Sequence, residues 1–204
     1  MSEAASALSE AEGRDLFRAS GALLEGHFRL TSGLHSPFYL QCARLLMDPA
    51  RAARVCAALK GRVLDALGGE VPESVVAPAL GGIVLGYELA RQLGVLALFV
   101  EREEGRFALR RGFTLEPGAR VLVAEDVVTT GLSTRECIAC VRAQGAQVVA
   151  ACCLVDRSGG SADVGVPLIA LARLDLPLYP PDRLPPELAA RPAIKPGSRP
   201  PARG

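Results

Sequence analysis

Two carboxylates and a run of small hydroxyl residues stand together in "VLVAEDVVTTGLST", residues 121–134. The stretch begins as an apolar strand, reaches Glu125 and Asp126, and continues into two threonines and Gly131. Paired carboxylates can accept hydrogen bonds from neighbouring hydroxyls, such as those of a ribose ring. A turn that leads into a helix offers backbone N–H groups to an anion, and a glycine lets the backbone approach that anion closely. The stretch is therefore a candidate site for a ribose 5-phosphate.

The same residues also have a purely structural interpretation. Asp and Thr are common at helix starts, so the cluster could cap a helix beside a solvated acidic pair. Residue chemistry alone leaves both interpretations open. A Walker A phosphate loop is excluded, because the pattern G-x-x-x-x-G-K-[ST] does not occur in the sequence.

The elements around this stretch alternate between strands and helices. The predicted strands cover residues 74–78, 95–100, 120–126, 146–156 and 166–177, and the predicted helices cover 49–67, 81–94 and 131–145. This alternation predicts an α/β fold, a mostly parallel sheet flanked by helices. Ligands of such sheets bind beyond the carboxyl ends of the strands, where Glu125 and Asp126 stand. Before the core, a helical pattern extends through Leu16, Phe17, Leu23 and Leu24.

Composition limits the class of protein. The 204 residues suit one domain, and the formal net charge of +1 gives no general attraction to nucleic acid or to a membrane surface. The N-terminus does not have the pattern of a signal peptide, and no apolar stretch has the length of a membrane span. We therefore expect a cytoplasmic protein with no nucleic-acid or membrane partner. Residues 179–204 are rich in proline, which predicts an extended and partly disordered tail.

Cys137 and Cys140 have a C-x-x-C spacing that occurs in zinc and redox sites. A zinc site needs a second pair of ligands, and the sequence offers no matching pair, since His27 and His35 lie far upstream. Both cysteines fall in a predicted helix beside Ile138. The pattern favours reduced cysteines that pack as small apolar residues.

The opening stretch closely resembles the phosphoribosyl pyrophosphate (PRPP) signature of type I phosphoribosyltransferases. That signature is an apolar strand, two acidic residues, two apolar residues and T-T-G. The resemblance implies that Glu125 and Asp126 hold the ribose hydroxyls, that Asp126 takes part in catalysis, and that the following loop wraps the 5′-phosphate. The PRPP-binding residues that it implies are Glu125, Asp126, Val127, Val128, Thr129, Thr130, Gly131, Leu132 and Ser133.

Four further segments resemble the orotate phosphoribosyltransferase family. They are the hood-like "FRLTSGLHSPFYLQ" (28–41), "PALGGI" (78–83) at the pyrophosphate loop, "LVDRSGG" (154–160) and "KPGSR" (195–199). The resemblance implies a pyrophosphate loop of Ala79, Leu80, Gly81 and Gly82. It implies orotate binding by Thr129, Arg157, Phe38 and Tyr39. The alternatives are core aromatics for Phe38 and Tyr39, a surface ion pair for Asp156 and Arg157, and a simple helix start for Gly81 and Gly82.

The chain departs from the family pattern in its charged loop. Many relatives carry lysines and a histidine there, but "EREEGRFALRRGF" (101–113) has neither. Thr31 and Gly81 also stand where many relatives have lysine. Arg102 and Arg110 are the candidate catalytic residues of this segment, and Arg106 and Arg111 add positive charge. A charged surface hairpin is the alternative for the whole segment.

The resemblance as a whole implies a type I phosphoribosyltransferase fold and transfer of the phosphoribosyl group of PRPP to orotate. It implies a domain at 1–178, with a hood at about 1–45 and a core at about 46–178, followed by the tail. It also implies a homodimer. It further implies that Mg²⁺ enters bound to PRPP and has no direct ligand from the protein. The alternatives are a phosphoribosyltransferase acting on a purine base and a regulator that binds PRPP or a nucleotide without catalysis.

Overall fold

The structure is a computed structural model that describes residues 10–30 and 33–195. Thr31 and the part of the "KPGSR" segment after Lys195 lie outside the described residues. No helix in the described ranges is long and apolar enough to cross a membrane.

The N-terminal part forms a small hood. Helix α1 (Glu10–Ala19) precedes an antiparallel pair of strands, β1 (Leu23–Arg29) and β2 (His35–Leu40). Leu23 and Leu24 therefore belong to a strand, and the helical pattern predicted through them is wrong. Gly21 takes a left-handed backbone with φ of 65° and ends the helical segment before the strand begins.

The core is one sheet of six strands. They are β3 (Ser74–Pro78), β4 (Leu96–Glu103), β5 (Arg106–Leu109), β6 (Arg120–Val128), β7 (Gln147–Asp156) and β8 (Leu168–Arg173). Their order is β5-β4-β3-β6-β7-β8, and every neighbouring pair is parallel except β4 with β5. Successive connections run outwards from β3 on one side and from β6 on the other. The crevice between β3 and β6 is thus the topological switch point, where ligands of open α/β sheets bind.

Helices cover both faces of the sheet, as the sequence predicts. The core helices are α2 (Cys42–Leu46), α3 (Pro49–Ala66), α4 (Gly81–Leu93) and α5 (Leu132–Ala143). Helices α1 to α4 pack into one apolar core, and α5 packs into a second core through buried Cys137, Ile138 and Val141. Cys140 is partly buried, and the six cysteines are free thiols. The C-x-x-C pair thus lies on a helix, as its pattern predicts.

The charged segment after β4 forms a surface hairpin. Strands β4 and β5 pair in antiparallel fashion, with Arg102 opposite Phe107, around a turn at Glu104 and Gly105. This is the arrangement that the alternative interpretation of the segment predicts. It places the arginines on the edge of the main sheet.

The proline-rich segment up to Lys195 packs on the hood. It contains a short helix, α6 (Pro186–Ala189), whose first residue is a proline. Proline is favourable at that position, because the first N–H of a helix has no partner within the helix. Tyr179 pairs with His35, and Ile194 pairs with Phe28 as an added parallel bridge. The described part of the tail is therefore more ordered than its composition predicts.

Candidate active site

The carboxylate pair lies near the carboxyl end of β6, at the switch point of the sheet. Glu125 is 7% exposed, and the backbone N–H of Val127 donates to Asp126 Oδ1 over 2.9 Å. Burial and, after it, the neighbouring charge of Asp126 raise the pKa of Glu125 to about 8. Burial also raises the pKa of Asp126, against the hydrogen bonds from Glu125 and from the backbone. The pair is thus a desolvated acceptor site rather than a solvated acidic cluster.

The loop after β6 continues directly into α5. Gly131 stands at the N-cap with φ of 74°, and a Cβ there would lie 2.8 Å from Val164 Cγ1. Both the left-handed backbone and the contact require glycine. Thr129 and Thr130 are exposed, while the Ser133 side chain donates to Glu125. The exposed Thr129 and Thr130 and the start of α5 therefore follow directly after the carboxylate pair, in an arrangement suited to a phosphate.

The loop between β3 and α4 lies against the carboxylate pair. A Cβ on Gly81 would lie 2.8 Å from Asp126 Oδ2, and a Cβ on Gly82 would lie 3.0 Å from the backbone oxygen of Ala124. The peptide bond between Ala79 and Leu80 is cis. A side chain at Gly81 would thus occupy the space in front of the Asp126 carboxylate. The structure brings Ala79–Gly82 and Glu125–Asp126 together, as their assignment to one ligand requires.

A cavity of about 710 Å³ opens between the hood, the loop after β6 and the segment after β7. Its lining residues are Arg29, Leu30, Leu34, Tyr39, Thr129, Thr130, Arg135, Arg157, Ser158, Ser161, Ala162, Asp163, Leu178 and Lys195. This volume suits a ligand of nucleotide size. We call it the main cavity.

Arg157 is the most unusual side chain of the main cavity. Its Nε and Nη2 atoms are buried and have no hydrogen-bond partner among the described residues. Burial lowers the pKa of this guanidinium. Unpaired buried donors on a charged group are costly, so they indicate a ligand that supplies acceptors. Asp156 is not the partner of Arg157, because its carboxylate accepts from the Ser158 backbone and hydroxyl and lies 3.8 Å from Arg173 Nε.

The two hood aromatics face different cavities. Tyr39 lines the main cavity, and its pKa is raised by burial and then by the charge of Asp126, while Arg157 lowers it. Tyr39 therefore lies within electrostatic reach of both the carboxylate pair and Arg157. Phe38, the next residue along the strand, lines a second cavity of about 250 Å³ between the hood and α6. The structure thus places Tyr39, and not Phe38, with the other candidate orotate-binding residues.

The two candidate catalytic arginines of the hairpin differ in position. Arg102 lines a small groove with residues 127–134, its guanidinium lies 4.3 Å from the Phe107 ring centroid, and it bonds Glu136 Oε2 over 2.5 Å. Arg110 is half exposed and pairs with Glu103 over 3.3 Å. The structure therefore brings Arg102, but not Arg110, beside the loop after β6.

Three cations of the main cavity were missed by the sequence reasoning. Arg135 donates to the backbone oxygens of Thr130 and Asp163 over 3.0 and 2.7 Å. Its position in the first turn of the helix after T-T-G was a usable signal. Arg29 and Lys195 come from the hood and the tail. No local pattern indicates that these two segments meet at the cavity.

Comparisons with known proteins agree with this geometry. Residues 43–165 match the model of the phosphoribosyl transferase domain. The orotate phosphoribosyltransferase of Maricaulis maris is 61% identical over 183 residues, which cover 90% of this chain and 94% of that protein. The orotate phosphoribosyltransferase of Rhizorhabdus wittichii is 62% identical, with 90% and 93% covered.

Solved structures show the same fold. The orotate phosphoribosyltransferase from Aeropyrum pernix aligns with a TM-score of 0.62 and 30% identity, over 78% of this chain and 92% of that one. An adenine phosphoribosyltransferase has the same TM-score at 16% identity and supports the fold alone. The fold predicted from the sequence is thus confirmed. With its family-model match and relatives at about 60% identity over 90% of its length, the chain belongs to the orotate phosphoribosyltransferase family.

Proposed function

We propose that the chain transfers the phosphoribosyl group of PRPP to orotate, giving orotidine 5′-monophosphate and pyrophosphate in pyrimidine synthesis. The observation that carries this proposal is Arg157, whose two buried, unpartnered nitrogens line a cavity that also contains Thr129 and Thr130 of the phosphate loop. Orotate offers a carboxylate and ring carbonyls in one plane, which match the rigid donor fork of a guanidinium. The names of the curated relatives support the same substrate.

The phosphoribosyl group is assigned to the switch point. Glu125 and Asp126 accept from the ribose hydroxyls, and residues 127–133 surround the 5′-phosphate. Ala79, Leu80, Gly81 and Gly82 are assigned to the pyrophosphate, since Gly81 lies next to Asp126 and so beside the ribose to which the pyrophosphate is attached. Tyr39 and Thr129 form walls of the orotate site beside Arg157.

The reaction breaks the bond between the ribose C1 and the pyrophosphate oxygen and forms a bond from C1 to the ring nitrogen of orotate. Orotate is already an anion, so the site needs no strong base. Catalysis then depends on positioning and on electrostatic stabilisation of positive charge at C1 by the buried carboxylates. Charge on the departing pyrophosphate would be neutralised by Mg²⁺ that enters with PRPP. The two carboxylates fit such a cation-carrying substrate, because burial raises the pKa of both and a bound cation would favour their charged forms.

Arg102 is the hairpin residue that we propose to contact the substrate phosphates. It lies at the edge of the phosphate loop and needs only to exchange Glu136 for a phosphate oxygen. Arg110 would need a movement of the hairpin to reach the same place. We further propose a homodimer in the cytoplasm, where the six free cysteines would stay reduced.

The test follows loss of orotate absorbance in a mixture of protein, Mg²⁺, PRPP and orotate. We expect turnover that chelation of Mg²⁺ abolishes, a large loss of turnover in Asp126→Asn, and a raised KM for orotate in Arg157→Ala. Turnover with a purine or uracil in place of orotate would contradict the substrate assignment. PRPP binding without product would favour the non-catalytic regulator.

A further inference from the structure

The end of the described tail is fixed on the hood by backbone hydrogen bonds. Ile194 N donates to the His27 oxygen over 2.8 Å, and Arg29 N donates to the Ile194 oxygen over 2.9 Å. His27 Nδ1 lies 2.7 Å from the Arg191 oxygen, which adds a side-chain bond to the same segment. The tail thus extends β1 by one parallel bridge. As a result, Lys195 follows directly at the hood side of the main cavity, next to Arg29.

The main cavity has a strongly positive lining. It contains four cationic side chains, Arg29, Arg135, Arg157 and Lys195, against the carboxylate of Asp163. Asp163 accepts from the Gly165 backbone over 2.8 Å, and Arg135 bonds two backbone oxygens. No ion pair involves Lys195 among residues 10–30 and 33–195. A concave surface with this charge attracts an anionic ligand, and Lys195 stays available to it.

Lys195 is the lysine that lines the main cavity. The chain has two lysines, and Lys60 lies on α3, where its Nζ donates to the Gln92 oxygen of α4 over 2.7 Å. A lysine supplies a compact cation with three rotatable donors on a flexible stem. It can therefore follow an anionic oxygen that a rigid guanidinium does not reach.

We propose that the C-terminal segment is part of the active site and that Lys195 binds an anionic oxygen of the substrates. This inference rests on the proposed function for the identity of those substrates. The oxygen belongs either to the carboxylate of orotate or to a phosphate of the phosphoribosyl group. Residues 191–195 are hydrogen-bonded to β1. The tail therefore places Lys195 at the hood side of the main cavity.

The test compares Lys195→Gln and Lys195→Arg with the wild type and with Lys60→Gln as the control. We expect Lys195→Gln to raise one KM by roughly tenfold or more, since hydrogen bonds to charged groups have effects of that size. Lys195→Arg should recover most of the loss, and Lys60→Gln should match the wild type. A raised KM for orotate assigns the oxygen to the carboxylate, and a raised KM for PRPP assigns it to a phosphate. If both KM values of Lys195→Gln stay within about twofold of the wild type, the inference is wrong.

Equilibrium binding separates this inference from the proposed function. Orotidine 5′-monophosphate carries both anions, and its Kd can be measured by calorimetry without turnover. Lys195→Gln should weaken it by a similar factor even if the wild type transfers nothing to orotate. Equal Kd values for the wild type and Lys195→Gln would overturn the inference, whatever the outcome of the turnover assay.

Discussion

Burial controls the charge of the two carboxylates at the switch point. With its pKa raised to about 8, Glu125 is mostly protonated near neutral pH. A carboxyl whose pKa is higher in the folded state than in the unfolded chain binds its proton more tightly when folded. It therefore stabilises the fold at low pH, and this contribution is lost as the pH rises from about 4.5 to about 8.

The first prediction concerns Glu125→Gln in the ligand-free protein. The variant cannot ionise at this position, so its free energy of unfolding should rise relative to the wild type as the pH increases across that window. Urea unfolding at several pH values measures the difference. PRPP binding should weaken about 10- to 100-fold, because the amide keeps only one acceptor oxygen, replaces the other with an NH₂ donor and cannot carry the negative charge of a carboxylate. Glu116→Gln, at an exposed carboxylate, is the control. Parallel stability curves for the wild type and Glu125→Gln would contradict the prediction.

Residues of the site differ in how far sequence could predict them. The acidic pair, Gly131 and Gly81 could be predicted from the local sequence, because the chemistry and the backbone constraint of each arise within one strand–loop–helix unit. The partner of Asp156 was not predictable, since Arg173 comes from a neighbouring strand. Lys195 is the extreme case. Its place depends on a tail whose composition indicates disorder, and which is ordered by backbone bonds to a strand over 160 residues earlier in the chain.

Among the elements, the hood and the tail share a buried pair of histidines. His27 Nε2 lies 2.6 Å from His35 Nδ1, and His27 Nδ1 lies 2.7 Å from the Arg191 oxygen. A carbonyl only accepts, so His27 Nδ1 carries the proton, its Nε2 accepts, and His35 Nδ1 donates. Burial lowers the pKa of His35, and the nearby charges of His27 and Arg29 lower it further. Burial and these neighbours therefore favour a neutral His35 in the link between β1, β2 and the tail.

The second prediction is a loss of stability on acidification that involves this pair. Since the folded pKa of His35 lies below its ordinary value of 6.5, the unfolded chain binds more protons, and stability falls as the pH decreases from 6.5 through the folded pKa. His35→Gln should remove this slope, which urea unfolding measures. The chain has only these two histidines, so NMR can follow both imidazoles directly. Equal slopes in the wild type and the variant would show that the pair does not titrate with unfolding.

Elements of the core were more predictable than those of the hood. Strands β3, β6 and β7 are mainly apolar runs, and helices α3 and α4 are bounded by local signals such as Asp48 at the start of α3 and Gly94 after α4. Strand β5 and helix α2 were not predicted, because β5 lies in the charged segment and the start of α2 has no side-chain cap. In the hood, Leu23 and Leu24 continued a helical spacing, but pairing with β2 made them a strand. Tertiary pairing decided that segment, and single-sequence periodicity contains no information about it.

At the scale of the whole molecule, an exposed apolar stripe lies at the start of α4 and has no assigned role. Leu80, Val84 and Tyr87 are 84%, 50% and 64% exposed, and their spacing puts them on one stripe. Large apolar side chains exposed side by side indicate a contact surface. The stripe begins in the proposed pyrophosphate loop, so a partner there would lie beside the active site. We assign the proposed homodimer to this stripe.

The third prediction follows from that assignment. Wild-type protein should sediment at twice the chain mass of 21.3 kDa, and Tyr87→Glu should shift it towards the single chain, because a carboxylate in an apolar interface loses its solvation. Turnover should fall in parallel if the partner supports the site. Leu96→Glu is the matched control, since Leu96 is 71% exposed but lies at the start of β4, at the opposite end of that strand from the site. A wild type that sediments as a monomer would contradict the proposed homodimer. A Tyr87→Glu variant that remains dimeric while Leu96→Glu dissociates would show that the interface lies away from α4.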